Sequence, residues 1–136
     1  MSVFEDKVKE FQIKYDREVG EKMAGHYDLL AMRKRLIDEE YKELDAELVK
    51  ALDEIKIGGR PQKETLVHLY KELADLQYVV SGLSVTFGIP IDEVFNRVHA
   101  SNLSKLGADG KPIYREDGKI LKGPGYFEPD LGDLVD

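Results

Sequence analysis

Two short acidic runs hold the residues best suited to chemistry in this chain: Glu39-Glu40-Tyr41-Lys42-Glu43 and Glu72-Leu73-Ala74-Asp75. In a helix, residues three or four apart share a face. Glu40 therefore converges with Glu43, Glu39 stacks on Glu43, and Glu72 converges with Asp75, each pair forming a potential two-carboxylate claw. Carboxylates with no cysteine in the chain and no histidine at ligand spacing make a hard oxygen donor set, which suits Mg2+ or Mn2+ rather than zinc. A diiron bundle would need Glu-x-x-His on two helices, and that pattern is absent, as are the EF-hand loop, the P-loop, the Rossmann fingerprint and the Gly-x-Ser-x-Gly elbow.

A solvated charged face is the competing meaning of the same acids. Three spacings of four residues favour it: Arg35 with Glu39, Asp38 with Lys42, and Lys71 with Asp75. Two features oppose it. Glu39, Glu43 and Glu47 stack acid on acid, at a few tenths of a kcal/mol per like-charge pair. Glu40 also interrupts the apolar line Ile37, Leu44, Leu48, and a carboxylate near a core is costly unless a cation compensates it.

The elements that must position these acids are helices. Phe4, Val8, Phe11 and Tyr15 form one apolar stripe, which predicts a first helix of about four turns ending before Gly20 and Gly25. From Asp28 the pattern resumes through Leu29, Met32, Leu36, Ile37, Leu44, Leu48, Leu52 and Ile55 and stops at Gly58-Gly59-Arg60-Pro61. That predicts a second helix of roughly 30 residues, about 45 Å long. A third starts near Pro61 or Gln62, runs through Leu66, Leu69, Leu73, Leu76, Val80, Leu83 and Phe87, and ends at Gly88. Its flank is also apolar (Val67, Tyr70, Ala74, Tyr78, Val85), and a helix apolar on two faces needs two partners, one of which can be a second subunit. Ser81-Gly82-Leu83-Ser84 permits close helix packing. Pro90 is placed in the first turn of a fourth helix carrying Ile91, Val94, Phe95 and Val98.

If helices two and three are antiparallel across the Gly58–Pro61 connection, the two claws meet. Counted from Arg60, Glu43 lies 17 residues back and Glu72 12 forward, a mismatch of about 7 Å that loop geometry must absorb. After Gly107 the language changes. Ile113-Tyr114-Arg115 and Lys119-Ile120-Leu121 flank an Asp117-Gly118 turn and predict a small hairpin. This tail is basic: Lys105, Lys111, Arg115, Lys119 and Lys122 outnumber Asp109, Glu116 and Asp117.

The 136 residues suit one domain, with a helical core over about 2–106 and a basic hairpin and tail over about 107–136. The absence of cysteine excludes disulfides, thiol nucleophiles and iron–sulfur clusters. A net charge of −7 argues against nucleic-acid or membrane surfaces, and no signal-like start or membrane-length apolar run is present, so a cytoplasmic protein is expected. Setting aside the five acids Glu39, Glu40, Glu43, Glu72 and Asp75 leaves only −2. The acidity is concentrated in one place.

Glu39-Glu40-x-x-Glu43 followed by Glu72-x-x-Asp75 on the next helix resembles the signature of the all-α nucleoside triphosphate pyrophosphohydrolases, which include MazG proteins, dimeric dUTPases and phosphoribosyl-ATP pyrophosphohydrolases. The resemblance covers roughly residues 28–131, including Ser101-Asn102-Leu103-Ser104-Lys105. It implies an all-α, four-helix MazG-like fold with a short C-terminal hairpin, assembled as a homodimer or homotetramer. The implied reaction is Mg2+-dependent hydrolysis of a (d)NTP to the monophosphate and pyrophosphate, serving nucleotide-pool house-cleaning. By motif position, Glu40, Glu43, Glu72 and Asp75 would bind the metal and Glu39 would orient or deprotonate the attacking water. A metal is needed to reverse the local field for a polyanionic substrate. Asn102 and Lys105, one turn apart, are candidates for a phosphate or sugar, with Arg115, Lys119 and Lys122 as weaker ones.

Two alternatives stay open: phosphoribosyl-ATP pyrophosphohydrolase, with the same motif and chemistry, and a noncatalytic helical oligomerisation or metal-binding module. His26 before helix two is read as structural or solvated. His68 is read as a partly buried histidine paired with Glu64 or Glu72.

Overall fold

The computed structural model describes residues 2–135. The chain is all-α with a two-stranded addition: α1 Val3–Lys14, α2 Tyr27–Gly58, α3 Lys63–Thr86 and α4 Ile91–Leu103, then strands β1 Ile113–Tyr114 and β2 Ile120–Leu121, and a 3-10 turn at Gly132–Leu134. It divides between Ile89 and Pro90 into two compact units.

In the first unit, α1 opens on Ser2, whose Oγ accepts from the Glu5 amide and also bonds the Glu5 carboxylate. α2 ends on Gly59, whose φ of 84° is the left-handed cap conformation, and its amide donates to Ile55 O at 2.8 Å. Glu54, one turn earlier, reaches across the connection. It accepts from the Gln62 amide at 3.0 Å and from Thr65 Oγ1 at 2.9 Å, so one carboxylate caps α3 and fixes its start relative to α2.

The two helices are antiparallel, with Glu54 beside Thr65, Glu47 beside His68, and Glu43 and Glu40 beside Glu72 and Asp75. The register centre implied by Glu47 and His68 falls between Ile57 and Gly58, not at Arg60. From there Glu43 and Glu72 are equally distant, so the mismatch counted from the turn disappears. The reason is that α2 runs through Gly58 while α3 begins only at Lys63, which skews the connection toward α3.

α1 packs on α3, and the α1–α2 connection ties back to the end of α3: Gly20 and Glu21 amides donate to Val85 O and Thr86 O at 3.0 and 2.7 Å. Buried apolar side chains are few among the described residues: Val8, Leu44, Ala51 and Val85. The stripe of α1 is only partly covered, since Phe4, Phe11 and Tyr15 are exposed around buried Val8. On α3, Val67, Tyr70, Leu73, Tyr78 and Val80 are also exposed, which leaves an apolar flank that the chain itself does not cover.

In the second unit Pro90 stands at the N-cap of α4, one position earlier than its expected place in the first turn. The hairpin forms as expected, antiparallel, with Ile113 opposite Leu121 and Tyr114 opposite Ile120. Arg97 on α4 holds the end of the tail by pairing with Glu93 at 2.9 Å and Asp133 at 2.5 Å and donating to Asp130 O. Ser101 donates to Phe127 O at 2.8 Å, adding a second fastening. No single helix among the described residues is long and apolar enough to cross a membrane.

Candidate metal centre

α2 and α3 bring four acids together. One carboxylate oxygen from each of Glu40, Glu43, Glu72 and Asp75 lies within 4.8 Å of the others. The i, i+3 spacing sets each pair on one helical face, and the Glu54 cap sets the register that makes the faces meet.

Glu40 Oε2 and Glu72 Oε2 are buried and have no hydrogen-bond partner. Burial, followed by repulsion from Glu43 and Asp75, raises the Glu40 carboxyl above the ordinary carboxylate range. Glu72 is raised as well, first by burial and then by the close approach of the Glu43 carboxylate. Lys71 opposes this: its Nζ lies 2.8 Å from Asp75 and 3.6 Å from Glu72, and the bond to Asp75 raises the ammonium above its usual value. One exposed ammonium against four carboxylates leaves the group strongly negative. Unpartnered buried oxygens, an all-oxygen donor set and uncompensated charge are what a hard divalent cation satisfies, so the cluster can bind a divalent metal.

Glu39 is exposed on α2 and stands outside the group of four. In the second unit, Asn102 is exposed on α4 and Lys105 half-buried just beyond it. Arg115 pairs with Asp117 across its own turn, and Lys122 lies 4.6 Å from the centre of the Tyr126 ring. Lys119 is exposed, and its amide donates to Asp117 at 3.1 Å.

Of the three helical pairs expected of a solvated face, only Lys71 with Asp75 forms; Lys34 takes Asp38 at 2.7 Å, and neither Arg35–Glu39 nor Asp38–Lys42 forms among the described residues. His68 does not pair with Glu64 or Glu72. Its Nδ1 lies 3.9 Å from Glu47 on the facing helix, which the cross-helix register makes its neighbour. His26 forms the N-cap of α2, with Nδ1 against the Lys22 carbonyl, a structural role.

Among the buried polar residues that sequence reading missed are Gln12 and Arg33. Arg33 stands two turns before Glu40 on the same face, a spacing that could have marked it. Gln12 sits beside the α1 stripe, where only packing reveals that it is enclosed.

A family model described as phosphoribosyl-ATP pyrophosphohydrolase matches residues 3–102. None of the curated proteins compared with the chain matches it. Among solved structures, the crystal structure of a proposed NTP pyrophosphohydrolase from Exiguobacterium sp. 255-15 is similar at 22% identity and a TM-score of 0.49, over 98% of this chain and 92% of that one.

Proposed function

The chain belongs to the phosphoribosyl-ATP pyrophosphohydrolase family, and from that premise we propose that it is a Mg2+-dependent nucleotide pyrophosphohydrolase that cleaves a (d)NTP to the monophosphate and pyrophosphate. The observation that carries this reading is the meeting of Glu40, Glu43, Glu72 and Asp75 across two antiparallel helices, with two of their oxygens buried and unpartnered.

These four carboxylates would hold Mg2+, with Mn2+ as a substitute. Bound there, the ion supplies charge compensation to phosphate oxygens and eases deprotonation of water. The chain's own part is geometric. Glu39, exposed beside the cluster in sequence, is free to accept a proton from the attacking water at its carboxylate. Lys71 balances part of the charge from the solvent side. Asn102, Lys105, Arg115 and Lys122 remain candidates for the outer phosphates on the strength of the resemblance alone.

A second substrate is favoured by the matching family itself: phosphoribosyl-ATP, which carries the same triphosphate and needs the same chemistry. A second copy of the chain is the occupant we assign to the uncovered apolar flank of α3 at Val67, Tyr70, Leu73 and Val80, giving a homodimer or homotetramer. Exposed apolar side chains gathered on one face mark an association surface.

The deciding experiment incubates purified protein and Mg2+ with a (d)NTP panel and with phosphoribosyl-ATP. Pyrophosphate with a nucleoside monophosphate from the panel supports the first substrate, and pyrophosphate from phosphoribosyl-ATP alone supports the second. No pyrophosphate from any of them would return the noncatalytic module to first place.

A further inference from the structure

Gln12 and Arg33 are polar side chains enclosed by the first unit, 1% and 6% exposed, and both line the same cavity. Gln12 Nε2 is used twice, donating to Glu18 O at 2.7 Å and to Thr86 Oγ1 at 3.2 Å, which fixes the amide and leaves Oε1 buried without a partner. Arg33 makes no hydrogen bond or ion pair among the described residues, and its Nε is wholly buried. Burial, opposed by the charge of Glu18 and reinforced by Arg17, lowers the guanidinium from its ordinary value. A buried cation and a buried acceptor are both costly to leave unmet. The backbone is nevertheless adapted to keep them: a Cβ at Gly82 would stand 2.8 Å from Arg33 Nη1 and 3.3 Å from Gln12 Oε1, so the glycine makes room for the guanidinium.

The cavity holds about 390 Å3, and Phe11, Tyr15 and Tyr78 form its aromatic wall. Phe11 stacks on Tyr15 at 4.5 Å and meets Tyr78 edge-on at 5.6 Å. Its lining also includes Leu36 and Val79. Leu36 lies four residues before Glu40 and Val79 four residues after Asp75, about 6 Å along each helix, so the cavity adjoins the acidic cluster along α2 and α3.

The chemistry of the wall narrows the ligand. A simple anion would satisfy Arg33 but face the Gln12 oxygen. A sugar can lay a C–H face on the aromatic rings but has no flat edge that carries an acceptor and an N–H donor in one plane, and a purely apolar group leaves both polar atoms unmet. A nucleobase presents a flat ring with an acceptor and an N–H side by side on its edge.

We propose that this cavity seats the base of the substrate nucleotide, with the aromatic side chains against the ring, Arg33 donating to a ring nitrogen or carbonyl, and Gln12 Oε1 accepting from a neighbouring N–H. This rests on the nucleotide pyrophosphohydrolase reading for its phosphate end, but the base seat can be tested apart from it.

The test uses free adenosine, guanosine, cytidine and uridine, without phosphate and in EDTA, so that the acidic cluster takes no part. Calorimetry on the wild type is expected to show binding of at least one of them. Arg33→Met and Gly82→Ala should each weaken that binding by about tenfold or more, with Mg2+ affinity unchanged. Gly82→Ala carries the result if Arg33→Met does not fold, because alanine favours the helix and the added methyl meets only the ends of two side chains, Arg33 Nη1 and Gln12 Oε1. If the wild type binds no nucleoside, or folded Gly82→Ala binds as the wild type does, the assignment is overturned. Binding that depends on Gly82 in a protein that cleaves no triphosphate would refute the pyrophosphohydrolase reading and leave the base seat standing. Triphosphate cleavage without such binding would do the reverse.

Discussion

Lys71 Nζ stands 2.8 Å from Asp75, at the edge of a group in which four carboxylates share oxygens within 4.8 Å. The ammonium partly offsets the repulsion among the acids, and a divalent cation would compete with it for Asp75. Lys71→Met should therefore lower the melting temperature in EDTA and tighten Mg2+ binding, by no more than about fivefold, the scale of an exposed pair. Calorimetric titration of Mg2+ into wild type and variant reads this directly; weaker Mg2+ binding in the variant would mean that Lys71 supports the metal instead of competing with it.

Glu40 and Asp75 come from opposite helices, so each tests one half of the centre. Glu40→Gln and Asp75→Asn should each reduce turnover by at least about 100-fold while the helical circular dichroism is kept. Removing one of four mutually repelling charges should also raise the melting temperature in EDTA. Turnover persisting in both variants would remove the metal assignment.

The pH dependence of the metal-free protein follows from Glu40 and Glu72. Both carboxyls are raised in the fold, so the folded state binds their protons more tightly than the unfolded chain does. Their contribution to stability is thus fully present below the unfolded value, near 4.5, and is lost as pH rises through the raised folded values. Asp133, lowered by its bond to Arg97, acts oppositely: its contribution is present above its unfolded value and lost as pH falls through the folded one. In EDTA the melting temperature should climb from pH 7 toward about 5 and fall again at stronger acid. With Mg2+ in excess the climb should vanish, because the metal needs the ionised carboxylates. A flat or falling profile in EDTA between pH 7 and 5 would show that the acids are not coupled in solution.

Glu54 caps α3 through Gln62 and Thr65. Glu54→Ala should cost about 1–2 kcal/mol in urea unfolding. Because the same contact fixes where α3 begins, turnover should fall as well, although Glu54 is not one of the four clustered acids. A stability loss with unchanged turnover would show that packing elsewhere sets the register.

The helices, and which acids share a face on each of them, were legible in the sequence. Apolar periodicity, the Gly58-Gly59 stop and Pro90 mark helix ends to within a few residues of those observed. The i, i+3 spacing likewise pairs Glu40 with Glu43 and Glu72 with Asp75, because a single helix dictates which of its own residues share a face. What lies between helices was not legible. Only the fold placed the register centre beyond Ile57, matched Glu43 to Glu72 and gave His68 to Glu47, because these depend on a four-residue connection and one capping carboxylate. The burial of Gln12 and Arg33 was equally out of reach: a polar residue beside an apolar stripe reads as surface until three helices close over it. Local periodicity is encoded in the order of residues, whereas a site shared by several helices is decided by how they pack.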